Sequence, residues 1–187
     1  MCSSDLQPIF TALERGVRVQ RWLRDHTAAS YMPAPEGTRM DHWASYDFVL
    51  PGVFLLTTSS YAVGTAEAFP AGPVGVEPTY VSVTSQAITP ITDRSTIYYY
   101  SGGQPTRHAS ADRIRDQVKL FGTAFREDKT MIEAQQKIID VSPGKWMMTL
   151  GFDRSVAQFR RLMAKLMEAK AVPGGRAAGE RPSVAAE

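Results

Sequence analysis

The chain has 187 residues, of which 43% are hydrophobic and 21% charged, and 21 basic against 19 acidic residues leave a net charge of +2. These values are typical of one globular domain, and so balanced a charge argues against nucleic-acid binding. A single Cys cannot form an internal disulfide, and it cannot supply the Cys ligands of a structural zinc or iron–sulfur site, which needs about four Cys or His ligands. Because the sequence has neither a long apolar span nor a signal-peptide pattern, we expect a cytoplasmic protein.

The first half of the chain reads as mostly β. Alternation of apolar and polar residues predicts strands at 16–23, 41–50, 53–63, 79–91 and 94–102. A Pro-Gly pair at 51–52 predicts a turn, and the short link at 89–93 predicts a hairpin. Three Pro and two Gly within 66–78 predict a loop.

The second half reads as helical. A long helix is predicted over 110–140, with Ser110 as its N-cap and a Ser-Pro-Gly sequence at 142–144 ending it. A short strand at 145–150 and a final helix from Asp153 or Ser155 to about Ala169 follow. An antiparallel sheet followed by helices is an α+β pattern.

One position interrupts the apolar stripe of the long helix. Stepping by three or four residues along one face gives this series: Ile114, Val118, Phe121, Phe125, Asp128, Ile132, Gln135 and Ile139. If this face packs on the sheet, Asp128 is a buried carboxylate, which is costly unless it is paired, protonated or bound to a metal. Pairing with a core Arg, His or Tyr is the more common outcome, and a metal-ligand or catalytic role is the alternative.

A second polar pattern lies on the predicted strand 79–91. Ser82, Thr84, Gln86 and Ile88 share one face and alternate with Val81, Val83 and Ser85. A polar face of this kind either lines a ligand cavity or faces solvent, and the solvent-facing arrangement is the more frequent one. The three His are scattered through the sequence, and none has a partner at the spacing of a metal-binding pair.

Three segments carry a resemblance to a known family. FREDKTMIEAQQ (125–136) resembles the F-x-E-D-x-x-x-x-E-A-Q helix of Rieske-type non-haem iron oxygenases, in the branch of the vanillate, phenoxybenzoate, toluenesulfonate and dicamba oxygenases. AITPIT (87–92) and TIYYY (96–100) resemble the TPET and T-H-Y-F hairpin of that family. The sequence FDR followed by FRRL (152–162) resembles its closing helix. The resemblance covers roughly residues 8 to 170.

The resemblance implies a helix-grip fold, an antiparallel sheet curled around the long helix. It also implies that Asp128 is the carboxylate of a 2-His-1-carboxylate Fe(II) site, with Leu56 and Gln86 at substrate-binding positions. The family uses O₂ to hydroxylate or O-demethylate aromatic acids. Its electrons come from NADH through a flavin/iron–sulfur reductase and a [2Fe–2S] Rieske cluster, and its oxygenase components are homotrimers.

The sequence lacks the family motifs that contain the other metal ligands. It has no C-x-H…C-x-x-H motif for the cluster and no D-x-x-H-x(4,5)-H segment for the iron. We therefore expect a C-terminal catalytic-domain portion that is inactive alone, truncated at its N-terminus. We divide it into an artefactual or disordered start (1–7), the oxygenase portion (8–170) and a disordered tail (171–187). The alternative is a non-catalytic helix-grip module that binds a small ligand.

Overall fold

A computed structural model describes residues 7–142 and 154–171. Six antiparallel strands form one sheet in the order β1-β2-β3-β4-β5-β6, so each strand pairs with the next along the chain. The strands are β1 (Ile9–Leu13), β2 (Gly16–Thr27), β3 (Arg39–Val49), β4 (Val53–Tyr61), β5 (Tyr80–Pro90) and β6 (Thr96–Gly103). This meander leaves β1 and β6 as the edge strands.

In the described part of the chain, three α-helices accompany the sheet. A four-residue helix, α1 (Thr65–Ala68), lies between β4 and β5, and a 3₁₀ turn (Thr106–His108) follows β6. The long helix α2 (Ala111–Val141) comes next, and α3 (Arg154–Ala171) is the last element. The Ser110 side chain caps α2 by accepting a hydrogen bond from the Arg113 backbone N–H at 3.3 Å.

The back face of the sheet is closed by the segment that contains α1. Trp22 and Trp43 are directly opposite each other on β2 and β3, with ring centroids 5.1 Å apart. Trp22 is fully buried, packs against Tyr61 and Ala66, and donates its indole N–H to the Phe69 carbonyl at 2.8 Å. Burial of this aromatic pair therefore depends on the α1 segment staying in place.

A buried carboxylate holds that segment. Asp41 on β3 is 2% exposed, and its two oxygens accept backbone N–H groups of Asp25, Gly64 and Ala66, each at 2.9 Å. One side chain thus ties the irregular end of β2 to the entrance of α1. These bonds satisfy a charge that would otherwise be costly to bury.

Both long helices contact the opposite face of the sheet, called the front face here, which carries Phe48 of β3 and Phe54 of β4. These two residues are directly opposite each other in the β3–β4 pairing, and the centroid of the Phe48 ring lies 4.0 Å from that of Phe159 on α3. On the other side of the same face, Phe125 of α2 packs on Tyr100 of β6 at 4.4 Å. A core cluster beyond these contacts consists of Tyr31, Met32, Met40 and Tyr80, with Phe121 packed against it.

The structure confirms the predicted α+β helix-grip architecture, the five predicted strands and both predicted helices. Two elements differ from expectation: β1 was not predicted as a separate strand, and α1 interrupts the segment predicted to be a loop. A charged side chain, Asp41, provides the contacts that order α1, and local sequence patterns do not reveal such long-range contacts. The predicted strand 145–150, most of the start 1–7 and the tail beyond 171 lie outside the described residues, and the domain bounds remain predictions.

Candidate functional site

The polar face of β5 points towards the helices. Ser82 and Thr84 are buried at 4% and 5% exposure, whereas Val83 between them is 46% exposed. The solvent-facing alternative is therefore wrong for these residues. The front face of the sheet carries polar groups under its helical cover, which is the arrangement expected of a ligand cavity.

Gln86 is held by a tyrosine on the neighbouring strand. The Tyr98 hydroxyl donates a hydrogen bond to Gln86 Oε1 at 2.6 Å. Partial burial, and secondarily the charge of Asp128, raise the pKa of Tyr98, so this hydroxyl keeps its proton at neutral pH. Because the amide oxygen is engaged as an acceptor, the donor end of Gln86 is the part left for another partner.

Leu56 lies on the same face, one strand further in. It pairs with Thr84 on β5, and the next pair along this face joins Phe54 to Gln86. Leu56 and Gln86 are therefore diagonal neighbours, whose separation in an antiparallel pair is roughly 7–8 Å. The structure brings the two predicted substrate-binding residues together, half-buried, on one surface.

Asp128 lies close to this surface but is not buried. Its side chain is exposed, and within residues 7–142 and 154–171 it has no hydrogen-bond or ion-pair partner. The expectation of a buried carboxylate is wrong, because α2 crosses the edge strand β6 and only the middle of its apolar stripe is covered. Phe121 and Phe125 are half-buried, while Ile132 remains 64% exposed.

The described residues do not complete an iron site. Within 7–142 and 154–171, no three His, Cys, Asp or Glu side chains are grouped so that they could hold a metal ion. The rings of His26 and His42 are 6.5 Å apart on β2 and β3, and His42 Nδ1 is engaged with the Ser60 hydroxyl at 2.9 Å. The role of Asp128 as one of the three ligands in such a site therefore stays a prediction.

A buried polar layer that sequence patterns did not predict lies at one end of the front face. Ser60 is fully buried and lies between His42 and Met32, whose sulfur is 3.9 Å from the hydroxyl. Burial, followed by the charge of His26, lowers the pKa of His42, so its neutral form is favoured. Burial also raises the pKa of Tyr80 to about 12. No sequence spacing signals this layer, because its members come from four separate segments.

A second missed feature is a cleft of about 280 Å³ between the end of β6 and the first turns of α2. Its walls include Tyr100, Gly102, Gln104, Gln117 and Phe121. Gln104 Nε2 donates to Gln117 Oε1 at 3.0 Å, so the two amides face each other across one end of the cleft. Gln117 is the buried residue of α2. It lies on the same face as the apolar stripe, three residues after Ile114 and four before Phe121, but the apolar spacing selects its neighbour Val118, which is 61% exposed.

Comparison with known proteins identifies the family. Residues 3–169 match the profile described as the vanillate O-demethylase oxygenase C-terminal domain. The chain belongs to this family. Two relatives from Comamonas testosteroni are a putative toluene-4-sulfonate monooxygenase system iron-sulfur subunit, 31% identical over 138 residues, and a toluene-4-sulfonate monooxygenase system iron-sulfur subunit, 30% identical over 138 residues. These alignments cover 71% of this chain and 37% of each relative, so the chain spans about a third of their length.

The fold agrees with that family. A crystal structure of dicamba monooxygenase with non-heme iron and dicamba superposes with a TM-score of 0.57 over 88% of this chain and 50% of the other, at 14% identity. At this identity the likeness concerns the fold alone. The helices described here include none long and apolar enough to cross a membrane.

Proposed function

We propose that this member of the vanillate O-demethylase C-terminal family is the catalytic-domain portion of a Rieske-type mononuclear iron oxygenase. The observation that carries the proposal is the placement of Asp128. This exposed carboxylate has no partner among the described residues, and it lies beside the Tyr98–Gln86 pair on the helix that covers the polar front face. An exposed carboxylate whose oxygens accept no hydrogen bond is suited to bind a metal ion that other residues help to hold.

The surface around Gln86 fits an aromatic acid as substrate. Tyr98 engages the Gln86 oxygen, so the amide N–H groups are available to an anionic oxygen of the substrate. Leu56 and the ring of Tyr100 provide apolar contacts for an aromatic ring on the same face. Hydroxylation or O-demethylation of such an acid is the reaction we assign to the whole protein.

In this proposal the chain contributes only one of the ligands that the oxygenase needs for its metal centres. Fe(II), when bound, would activate O₂, and Asp128 would be one of its ligands. We assign the other two ligands, both His, and the [2Fe–2S] cluster to residues outside this chain. A flavin/iron–sulfur reductase would supply electrons from NADH to a homotrimeric oxygenase. The use of NADH favours the cytoplasm as the location, and the chain alone is expected to be inactive.

A chimera tests the role of Asp128. The matching C-terminal residues of a toluene-4-sulfonate monooxygenase iron-sulfur subunit are replaced by this chain, and iron is measured by plasma mass spectrometry. We expect about three irons per chimera, two in the cluster and one at the mononuclear site. Asp128→Ala should lose the third iron while the visible absorption of the cluster is unchanged, and NADH-dependent O₂ uptake should stop.

Asp116→Ala is the matched control, because Asp116 is an exposed carboxylate on the same helix. It should retain all the iron and the O₂ uptake. Full iron content in the Asp128→Ala chimera would refute the assignment. The isolated chain gives an independent measurement: it should bind far less than one equivalent of Fe(II). Stoichiometric binding by the isolated chain would contradict the claim that its site is incomplete.

A further inference from the structure

The cleft between β6 and α2 contains a hydrogen-bond donor and an acceptor that lack partners. Gln117 is only 4% exposed, and its Nε2 atom has no partner among the described residues. Gln104 Oε1 is likewise buried and unpaired within this described part of the chain. Most buried polar atoms in proteins are hydrogen-bonded, so two adjacent exceptions in one cleft call for an explanation.

The hydrogen bond between the two side chains determines which groups remain available. Gln104 Nε2 already donates to Gln117 Oε1, at 3.0 Å. This bond orients both amides, leaving N–H donors on Gln117 and a carbonyl acceptor on Gln104. A ligand that carries a carbonyl oxygen next to an N–H group would satisfy both atoms at once.

The remaining walls of the cleft favour a flat, uncharged ligand. Phe121 and Tyr100 contribute aromatic rings, and none of the residues lining the cleft is charged. At Gly102 a Cβ atom would lie 2.6 Å from the Phe121 ring, so glycine is what allows the ring to take up this position. Without a cation in the walls, an anion would lose its hydration without compensation, whereas a neutral amide would not.

We propose that this cleft is a binding site for a small aromatic compound with a primary or secondary carboxamide. Its carbonyl oxygen accepts from Gln117, its N–H donates to Gln104, and its ring lies against Phe121. The volume of about 280 Å³ accommodates a substituted ring, because an engineered cavity of about 150 Å³ holds benzene. The site borders the surface around Gln86 through Tyr100, but it uses neither Asp128 nor a metal, so its test does not depend on the oxygenase assignment.

Three probes test the chemistry on the unaltered chain by isothermal titration calorimetry: benzamide, N,N-dimethylbenzamide and benzoate. Dimethylbenzamide keeps the acceptor but lacks the N–H donor, and benzoate replaces the amide by an anion. We expect benzamide to bind at least about tenfold more tightly than either of the others, since each loses one hydrogen bond. Absence of benzamide binding at millimolar concentration, or equal binding of benzoate, would overturn the proposal.

Two variants then locate the site. Gln117→Leu removes the donor at nearly constant size and should weaken benzamide binding about tenfold or more. Gln104→Leu removes the acceptor at a half-buried position, so it remains informative if the Gln117 variant folds poorly. Gln136→Leu, an exposed position on the same helix, is the matched control and should leave binding unchanged. Unchanged affinity in both cleft variants would place benzamide elsewhere and refute the site.

Discussion

Replacing Asp41 should release the segment that closes the back of the sheet. Its carboxylate accepts three backbone N–H groups at 2.9 Å while being 2% exposed. A hydrogen bond to a charged group contributes about 1.5–3 kcal/mol, but the three share one side chain and water would reach some of the freed donors. We therefore expect Asp41→Ala to lower the free energy of unfolding by about 3–5 kcal/mol, a large part of the total for a domain of this size.

Asp41→Asn is the milder form of the same test. Its single carbonyl oxygen can accept a hydrogen bond either from the Asp25 N–H or from the N–H groups of Gly64 and Ala66. Its NH₂ group then faces the N–H on the other side, so two donors oppose each other. We expect a loss of about 2–3 kcal/mol. Urea unfolding followed by tryptophan fluorescence suits the measurement, because Trp22 lies under the released segment.

Asp47→Asn is the control for that experiment. Asp47 forms a bidentate pair with Arg18, whose side chain is 41% exposed, and exposed pairs contribute about 0–1 kcal/mol. If Asp41→Ala costs less than about 1 kcal/mol, or no more than Asp47→Asn, the reasoning about the buried carboxylate is refuted.

Two further predictions concern charge. Burial lowers the pKa of His42, so the unfolded chain takes up a proton that the native chain resists as the pH falls below about 6.5, and the free energy of unfolding should fall with it. His42→Gln should flatten this dependence in urea melts, whereas an unchanged slope would exclude His42 as its source. Asp128→Leu should change the free energy of unfolding by less than about 0.5 kcal/mol, roughly 1–2 °C in a thermal melt, because the carboxylate is exposed and has no partner among the described residues. Strong destabilisation would instead indicate a structural ion pair.

Local patterns were sufficient for β2 to β6 and for both long helices, although not for β1 or α1, because such patterns act over neighbouring residues. Alternation predicted the strands, and the Ser110 cap with the three-and-four spacing predicted α2. The same spacing overstated the burial of Asp128. A helical stripe shows which residues share a face, but the extent of the covering sheet decides which of them are buried.

The sequence alone determined the α+β class, the family resemblance and the singling out of Asp128, Gln86 and Leu56. These inferences depend on residue type and on spacing within single elements. Only the tertiary structure decided that the polar face of β5 turns inward, that Tyr98 holds Gln86, and that two glutamines leave a donor and an acceptor unpaired in one cleft. Each of those arrangements joins residues from different segments, and their contacts exist only once the strands have paired and the helix has packed across β6.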